Sequence, residues 1–545
     1  MRRRWLLLLP VAAALLAAFR PAAYDPTAAA RAEKARGRIG NVLAHIPPQC
    51  YTDTQGRANP CWVCHSGATR ANGIDDWQLQ ADYAFNALGR ENHWRNLFVD
   101  RRAPIAQIRD AEILRYVRQD NSVGLREALL QLPAAQRPRW IPDLDWSQGF
   151  DAQGWARDGS GWRAFRYQPF PGSFWPANGS SDDVLIRLPP AFRRDAQQQE
   201  SRAVYALNLA LLEAAVAVPD TREAAQLQRA VEAVDERLLG FDLDGDGRLD
   251  FTQRIQRLPP HYAGAAGDVV LERYRYPVGT EFLHSLRYLD PDAADMRATR
   301  FKELRYARKI FALDAAHTQL RDAQEAREQT AGGWPYFGGD AFSGIFSERG
   351  WQLQAYIEQA DGRLRLQTRE EQMSCMGCHS GIGITVDASF ALPRKPPGAA
   401  GWGYQSLAGL QDRPQAGSRT PEYALYLRRA GAGDEYRNNA ELLRRYFPNG
   451  ALDTAALRRI AVGGDQDIRT LLLPSRERAL ALDKAYRTLV REQSFALGRE
   501  APLQPPAYLL RQIKESRTGL READDRVFRD ARLWLEWDSG DARSP

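Results

Sequence analysis

Two short segments of the same pattern, far apart in the chain, constrain this sequence more than any other feature. Cys61–His65 and Cys375–His379 each place two residues between a pair of cysteines and a histidine directly after the second cysteine. The chain of 545 residues holds only five cysteines and seven histidines, and the one cysteine outside the pairs is Cys50. So few cysteines do not form a disulfide framework. The two segments therefore predict two sites of specialised thiol chemistry.

Covalent attachment of a haem is the chemistry that needs this pattern. Two thiols add across the two vinyl groups of the porphyrin, and an imidazole from the same helical turn ligates the iron. The alternative is a pair of zinc-binding knuckles. A histidine directly after both pairs, in a chain so poor in histidine, favours the haem. We therefore expect two haem c cofactors.

The ten motif residues resemble the c-type cytochrome superfamily. That resemblance implies thioether bonds to haem at Cys61, Cys64, Cys375 and Cys378. It also implies that His65 and His379 are the proximal iron ligands. The chain length and the two haems also loosely resemble the di-haem peroxidases and rubber oxygenases. The two motifs stand much farther apart than expected for the compact peroxidase fold, so no catalytic residue of that family is transferred.

The distal iron ligands are sought among the remaining histidines. His93 is favoured for the first haem, with His45 as second choice, and His284 is favoured for the second haem, with His261 behind it. Each of these side chains has the alternative of being a packed or surface histidine. A His/His-ligated haem is expected to have a lower potential than a His/Met-ligated one.

Two sulfur-bearing side chains add alternatives. Met296 is the only credible methionine ligand. Cys50 could be a distal thiolate, a free thiol, an intermolecular link or a buried bystander.

An acidic loop predicts one calcium ion. Asp242, Asp244, Asp246 and Asp250 would offer side-chain oxygens and Arg248 its carbonyl, as in the first nine residues of an EF-hand loop. Gln253 replaces the usual bidentate glutamate at position twelve. The alternative is an Asp/Gly-rich turn with solvated carboxylates.

The N-terminus predicts export. Residues 1–23 combine a short basic start, an apolar run and small residues, which is typical of a signal peptide, and the alternative is a retained anchor. No cysteine directly follows the apolar run, which argues against a lipoprotein. The remaining chain has a formal charge near zero, so we expect a periplasmic protein with no nucleic-acid partner and no integral membrane span.

Hydrophobic patterning predicts a mainly α fold. We expect a first haem region at 24–138, an irregular aromatic-, Gly- and Pro-rich insertion with short strands at 139–200, and a helical region with the calcium loop at 201–330. A second haem region at 331–420 and a C-terminal helical region at 421–545 complete the chain. Ser201 and Ser475 are predicted to start helices.

The functional expectation is an exported di-haem c-type cytochrome that transfers electrons between periplasmic redox partner proteins. The alternative is a di-haem peroxidase or oxygenase with one open catalytic haem, so the sequence leaves open whether the chain is an enzyme. A haem-based sensor or a subunit of a respiratory complex is a weaker third possibility. Five histidines outside the motifs favour electron transfer, whereas the large number of residues per haem favours the enzyme.

Overall fold

The computed structural model describes residues 24–53, 60–67, 74, 85–171, 176–219, 227–330, 336–431, 436–500, 502–514 and 533–537. The predicted signal peptide at 1–23 lies outside the described residues.

The described chain contains ten β-strands and thirteen α-helices. The strands are β1 (Arg163–Phe165), β2 (Ser181–Arg187), β3 (Arg229–Asp235), β4 (Phe251–Ile255), β5 (Glu281–Leu289), β6 (Arg297–Lys309), β7 (Gly338–Asp340), β8 (Gly344–Phe346), β9 (Trp351–Glu358) and β10 (Leu364–Leu366). The α-helices before the long strands are α1 (Ala28–Arg36), α2 (Arg102–Ala106), α3 (Asp110–Val117), α4 (Leu125–Gln131) and α5 (Arg202–Val216). The later α-helices are α6 (Ala315–Thr330), α7 (Arg369–Met373), α8 (Met376–His379), α9 (Glu422–Ala430), α10 (Ala440–Tyr446), α11 (Thr454–Ile460), α12 (Arg469–Leu472) and α13 (Arg476–Glu492).

An eight-stranded antiparallel sheet organises the molecule. Its strand order is β1-β2-β5-β6-β9-β8-β7, and β10 pairs with the outer part of β9. Strands β3 and β4 form a separate hairpin. The sheet draws on chain from 163 to 366, so it unites the predicted aromatic insertion with the regions that follow it.

The prediction of a mainly α fold is wrong. The structure is mixed, and the stretch expected to be mostly helical around 278–330 supplies the two longest strands of the sheet, β5 and β6. Strand β6 is rich in Arg, Lys, Glu and Ala, residues that are common in helices and rare in buried strands. Most of its charged side chains are nevertheless buried or half-buried, and several form ion pairs, such as Lys309 with Asp387 at 2.6 Å and Arg305 with Glu303 at 2.9 Å. Pairing hides the alternation of apolar and polar residues that marks an ordinary strand.

The two predicted helix starts are confirmed. The Ser201 hydroxyl accepts a hydrogen bond from the Val204 amide at the start of α5, and the Ser475 hydroxyl accepts one from the Arg478 amide at the start of α13. Most of α5 is buried, in the same apolar core as the β3–β4 hairpin. Helix α13 packs against α3.

Candidate functional site

One cavity of about 810 Å³ lies against a face of the sheet, and both cysteine–histidine segments line it. Alternate residues of the two long strands supply its floor, namely Phe282, His284 and Leu286 from β5 and Glu303, Arg305 and Ala307 from β6. The register sets each of these β5 residues opposite its β6 partner, so all six point to the same side of the sheet. Segments more than three hundred residues apart in sequence thus meet in one place.

The first segment begins in a short 3₁₀ turn, Pro60–Val63. The amides of Cys64 and His65 both donate to the Cys61 carbonyl, at 3.2 and 2.9 Å. This turn holds Cys61, Cys64 and His65 along the cavity wall.

The second segment has the same backbone pattern. The amides of Cys378 and His379 donate to the Cys375 carbonyl, at 3.2 and 3.0 Å. Helix α7 leads directly into this segment, and a capping box between Thr368 and Glu371 starts that helix. The repeated hydrogen bonds give both motifs one local shape, with both cysteines and the histidine on a single turn.

The second motif histidine is held as a neutral ring. Burial, together with the nearby Arg305 and His284, lowers the pKa of His379 to about 4, although the hydrogen bond to the Ala388 backbone opposes this shift. Its Nδ1 atom lies 3.3 Å from the Ala388 carbonyl oxygen. Because a carbonyl only accepts hydrogen bonds, Nδ1 carries the proton and Nε2 keeps its lone pair. This is the tautomer that a metal-ligating histidine needs.

His284, predicted as a distal ligand, lies in the cavity beside a buried carboxylate. Its Nε2 atom is 3.1 Å from Asp182 Oδ2 on the neighbouring strand β2. The Tyr167 hydroxyl donates to the same oxygen. Carboxylates in this position orient the ring of metal-bound histidines, so the structure brings His284 to the site together with an orienting partner.

The other candidate ligands divide between the cavity and elsewhere. His45 and Cys50 line the cavity, and burial raises the pKa of the Cys50 thiol to about 12. His93, His261 and Met296 are not among the described residues that line it. The His93 ring nitrogen Nε2 instead lies 3.2 Å from the Leu88 carbonyl oxygen.

A cluster of charged side chains beside the second motif was not predicted from the sequence. Arg305 Nε and Arg499 Nη1 both donate to Glu303 Oε2, at 2.9 and 3.0 Å. Burial alone would raise the pKa of Glu303, but the two guanidinium groups lower it to about 2. Burial raises the pKa of Glu500, another cavity residue, which favours its neutral form. Two guanidinium groups thus share the carboxylate of Glu303 next to Cys375.

The predicted calcium loop connects β3 to β4, so strands flank it rather than the helix expected before an EF-hand loop. Asp242 accepts from the amides of Gly245 and Gly247, at 2.6 and 3.0 Å. Its carboxylate lies in one group with those of Asp244 and the buried Glu236, all within 4.8 Å of one another.

Glu236 was not predicted, and the remaining predicted ligands Asp246, Arg248 and Asp250 are outside this group. Arg257 also pairs with Asp242 at 2.5 Å. Calcium binding stays a prediction.

Comparison with known proteins shows that the chain belongs to a lipoprotein family. A family model whose description ends in "-like lipoprotein" matches residues 34–459. A protein from Aquifex aeolicus (strain VF5) called "Uncharacterized lipoprotein" is 31% identical over 517 residues, which cover 84% of this chain and 86% of that relative. No solved structure matches the chain significantly.

Membership of a lipoprotein family indicates an exported protein of the cell envelope. Among the described helices, none combines the length and the apolar character that crossing a bilayer requires.

These findings overturn the assignment to the c-type cytochrome superfamily. The matched family is a lipoprotein family, and neither description indicates a cytochrome or a peroxidase. The electron-transfer function and its peroxidase or oxygenase alternative were inferred from that assignment, so both predictions are wrong. The redox partner proteins were expected only because of the electron-transfer function. The resemblance covered only the ten motif residues, and here the two motif turns stand beside a large antiparallel sheet rather than in a mainly helical fold.

Proposed function

We propose that this chain is a haem-binding protein of the cell envelope in which the cavity beside the sheet holds two covalently attached haem groups. The observation that carries the proposal is that both cysteine–histidine turns, with the same internal hydrogen bonds, open into one cavity of about 810 Å³. Pockets for small molecules and cofactors typically measure about 300–1,000 Å³, and this cavity falls within that range. Thioether bonds would form at Cys61, Cys64, Cys375 and Cys378, and His65 and His379 would ligate the irons.

The chemistry of the donor set fits a haem better than zinc. In the described part of the chain, three or more metal-ligating atoms converge only at Glu236, Asp242 and Asp244, and not at either motif. Two separate turns, each with two thiols and one imidazole, suit thioether attachment.

The charges of the cavity wall fit the remaining part of a haem. A porphyrin of this type carries two propionate carboxylates, and guanidinium groups pair with carboxylates in charge-assisted hydrogen bonds. Arg305 and Arg499 line the cavity beside Cys375. The apolar side chains of β5 and β6 supply the surface for the ring itself.

The site belongs on the periplasmic side of the cytoplasmic membrane, since thioether attachment follows export. An iron porphyrin bound here would supply an iron that imidazole nitrogens of this chain could ligate.

The proposal is tested by counting attached haems in full-length protein exported from a host with haem-maturation machinery. Intact mass and the pyridine haemochrome spectrum should both report two haems. The double variants C61A/C64A and C375A/C378A should each lose one haem and keep the other.

Cys50→Ala is the matched control, because Cys50 is a buried cavity cysteine outside both motifs. It should keep both haems. An unmodified wild-type mass, or bound zinc with no porphyrin, would refute the proposal.

A further inference from the structure

His45 occupies an unusual place in the cavity, because its backbone lies directly against the second motif. A Cβ atom built on Gly377 would stand 2.5 Å from the His45 carbonyl oxygen and 3.2 Å from Pro47 Cδ. Gly377 is the second residue between Cys375 and Cys378. The residue at this position must therefore lack a side chain for His45 to approach so closely.

Two hydrogen bonds hold the His45 segment, residues 40–46, against the helix that precedes the second motif. Glu370 in α7 accepts hydrogen bonds from the amides of Gly40 and Asn41, at 2.9 and 2.6 Å. The Asn41 side chain in turn accepts from the Leu43 amide at 3.0 Å. Helix α7 leads straight into Cys375, so the segment and the motif are held as one unit.

The far end of the segment is held as well. The indole of Trp94 donates to the Ile46 carbonyl at 2.8 Å. The backbone that carries the His45 ring is therefore held by hydrogen bonds on both sides of this residue.

The His45 ring itself lacks a partner for one of its nitrogens. Nδ1 is buried and has no hydrogen-bond partner among the described residues. The ring packs edge-on against Phe337, with 5.4 Å between centroids. Burial lowers the pKa of His45 to about 4, so the imidazole is neutral and has a lone pair to donate. A buried nitrogen left without a partner needs an explanation, and a role as a metal ligand is one.

We propose that His45 would ligate the iron of a haem held in this cavity, as a ligand supplied from outside both motifs. This inference rests on the proposed haem binding and goes beyond it, since it names an iron ligand that neither motif contains. The sequence offered His45 as the second choice for the first haem, whereas the structure sets its backbone against the second motif. Which iron it ligates is decided by the experiment.

The test compares exported, haem-loaded His45→Ala with the wild type and with His317→Ala. His317 is exposed on α6 and paired with Asp314, so it is a histidine control remote from the cavity. His45→Ala should keep both covalent haems, and one of the two ferric signals in the EPR spectrum should change from low-spin to high-spin. Added imidazole should restore the low-spin signal. His317→Ala should match the wild type.

Repeating His45→Ala in each single-haem background identifies the iron. If His45→Ala carries two haems with an unchanged spectrum, His45 is not a ligand. If the wild type carries no haem, the proposed function fails first and the two failures are distinguished.

Should His45→Ala fail to fold, His45→Met keeps the proposal testable, because methionine fills the space and can ligate iron. The long-wavelength absorption band of sulfur-ligated ferric haem is then expected, and its absence from protein that keeps two low-spin haems would overturn the assignment.

Discussion

Replacing Gly377 by alanine tests the contact between the second motif and the His45 segment. The added methyl group would stand 2.5 Å from the backbone carbonyl oxygen of His45. A clash with a flexible side chain could be relieved by rotation of that side chain, but a clash with this fixed backbone cannot. Overpacking a tight site costs about 1–3 kcal/mol. We expect Gly377→Ala to lower the melting temperature and the yield of haem at Cys375 and Cys378, while attachment at the first motif is unchanged.

Gly338→Ala is the matched control. It is another glycine outside the left-handed region, and its added methyl group would meet nothing closer than 3.8 Å, at the Phe346 ring. Thermal unfolding followed by circular dichroism and haem counting by intact mass should be run on both variants and the wild type. Equal melting temperatures and equal haem yields for the two variants would refute the close approach of His45 to the motif.

Two other predictions concern parts of the molecule away from the cavity. Burial raises the pKa of Asp412 to about 8, although its carboxylate accepts from the amides of Tyr423 and Ala424 at 2.9 and 3.1 Å. A folded pKa above the unfolded value, about 3.9, gives stability that is full below pH 4 and is lost as the pH rises through 8. Asp412→Asn should therefore flatten the fall in melting temperature between pH 5 and pH 9, and an unchanged slope would contradict this. Calcium should raise the melting temperature of the wild type and leave that of Asp242→Asn unchanged; an equal response of both proteins would exclude a site at this loop.

Local features were predictable from the sequence because they depend on neighbouring residues. The helix starts at Ser201 and Ser475 follow from side chains that cap the next turn. The shape of the two motif turns was also predictable, because the spacing of the cysteines and the histidine sets it. His284 was chosen as a ligand from its own segment, and it does lie in the cavity.

Features that depend on long-range pairing were not predictable. Strand β6 has a helix-like composition, and only its neighbours β5 and β9 show why its charges are buried. The partnership of Arg305 with Arg499 joins residues almost two hundred positions apart through Glu303. His93 was chosen because it follows His65 closely in sequence, and nearness in sequence did not bring it to the cavity.

The most direct test of the central claim is an iron anomalous difference map from crystals of the exported, loaded protein. We expect two iron peaks inside the cavity that both motifs line, with continuous density from the porphyrins to Cys61, Cys64, Cys375 and Cys378. Cysteine side chains with no attached density, or a single metal held directly by their sulfur atoms, would contradict it.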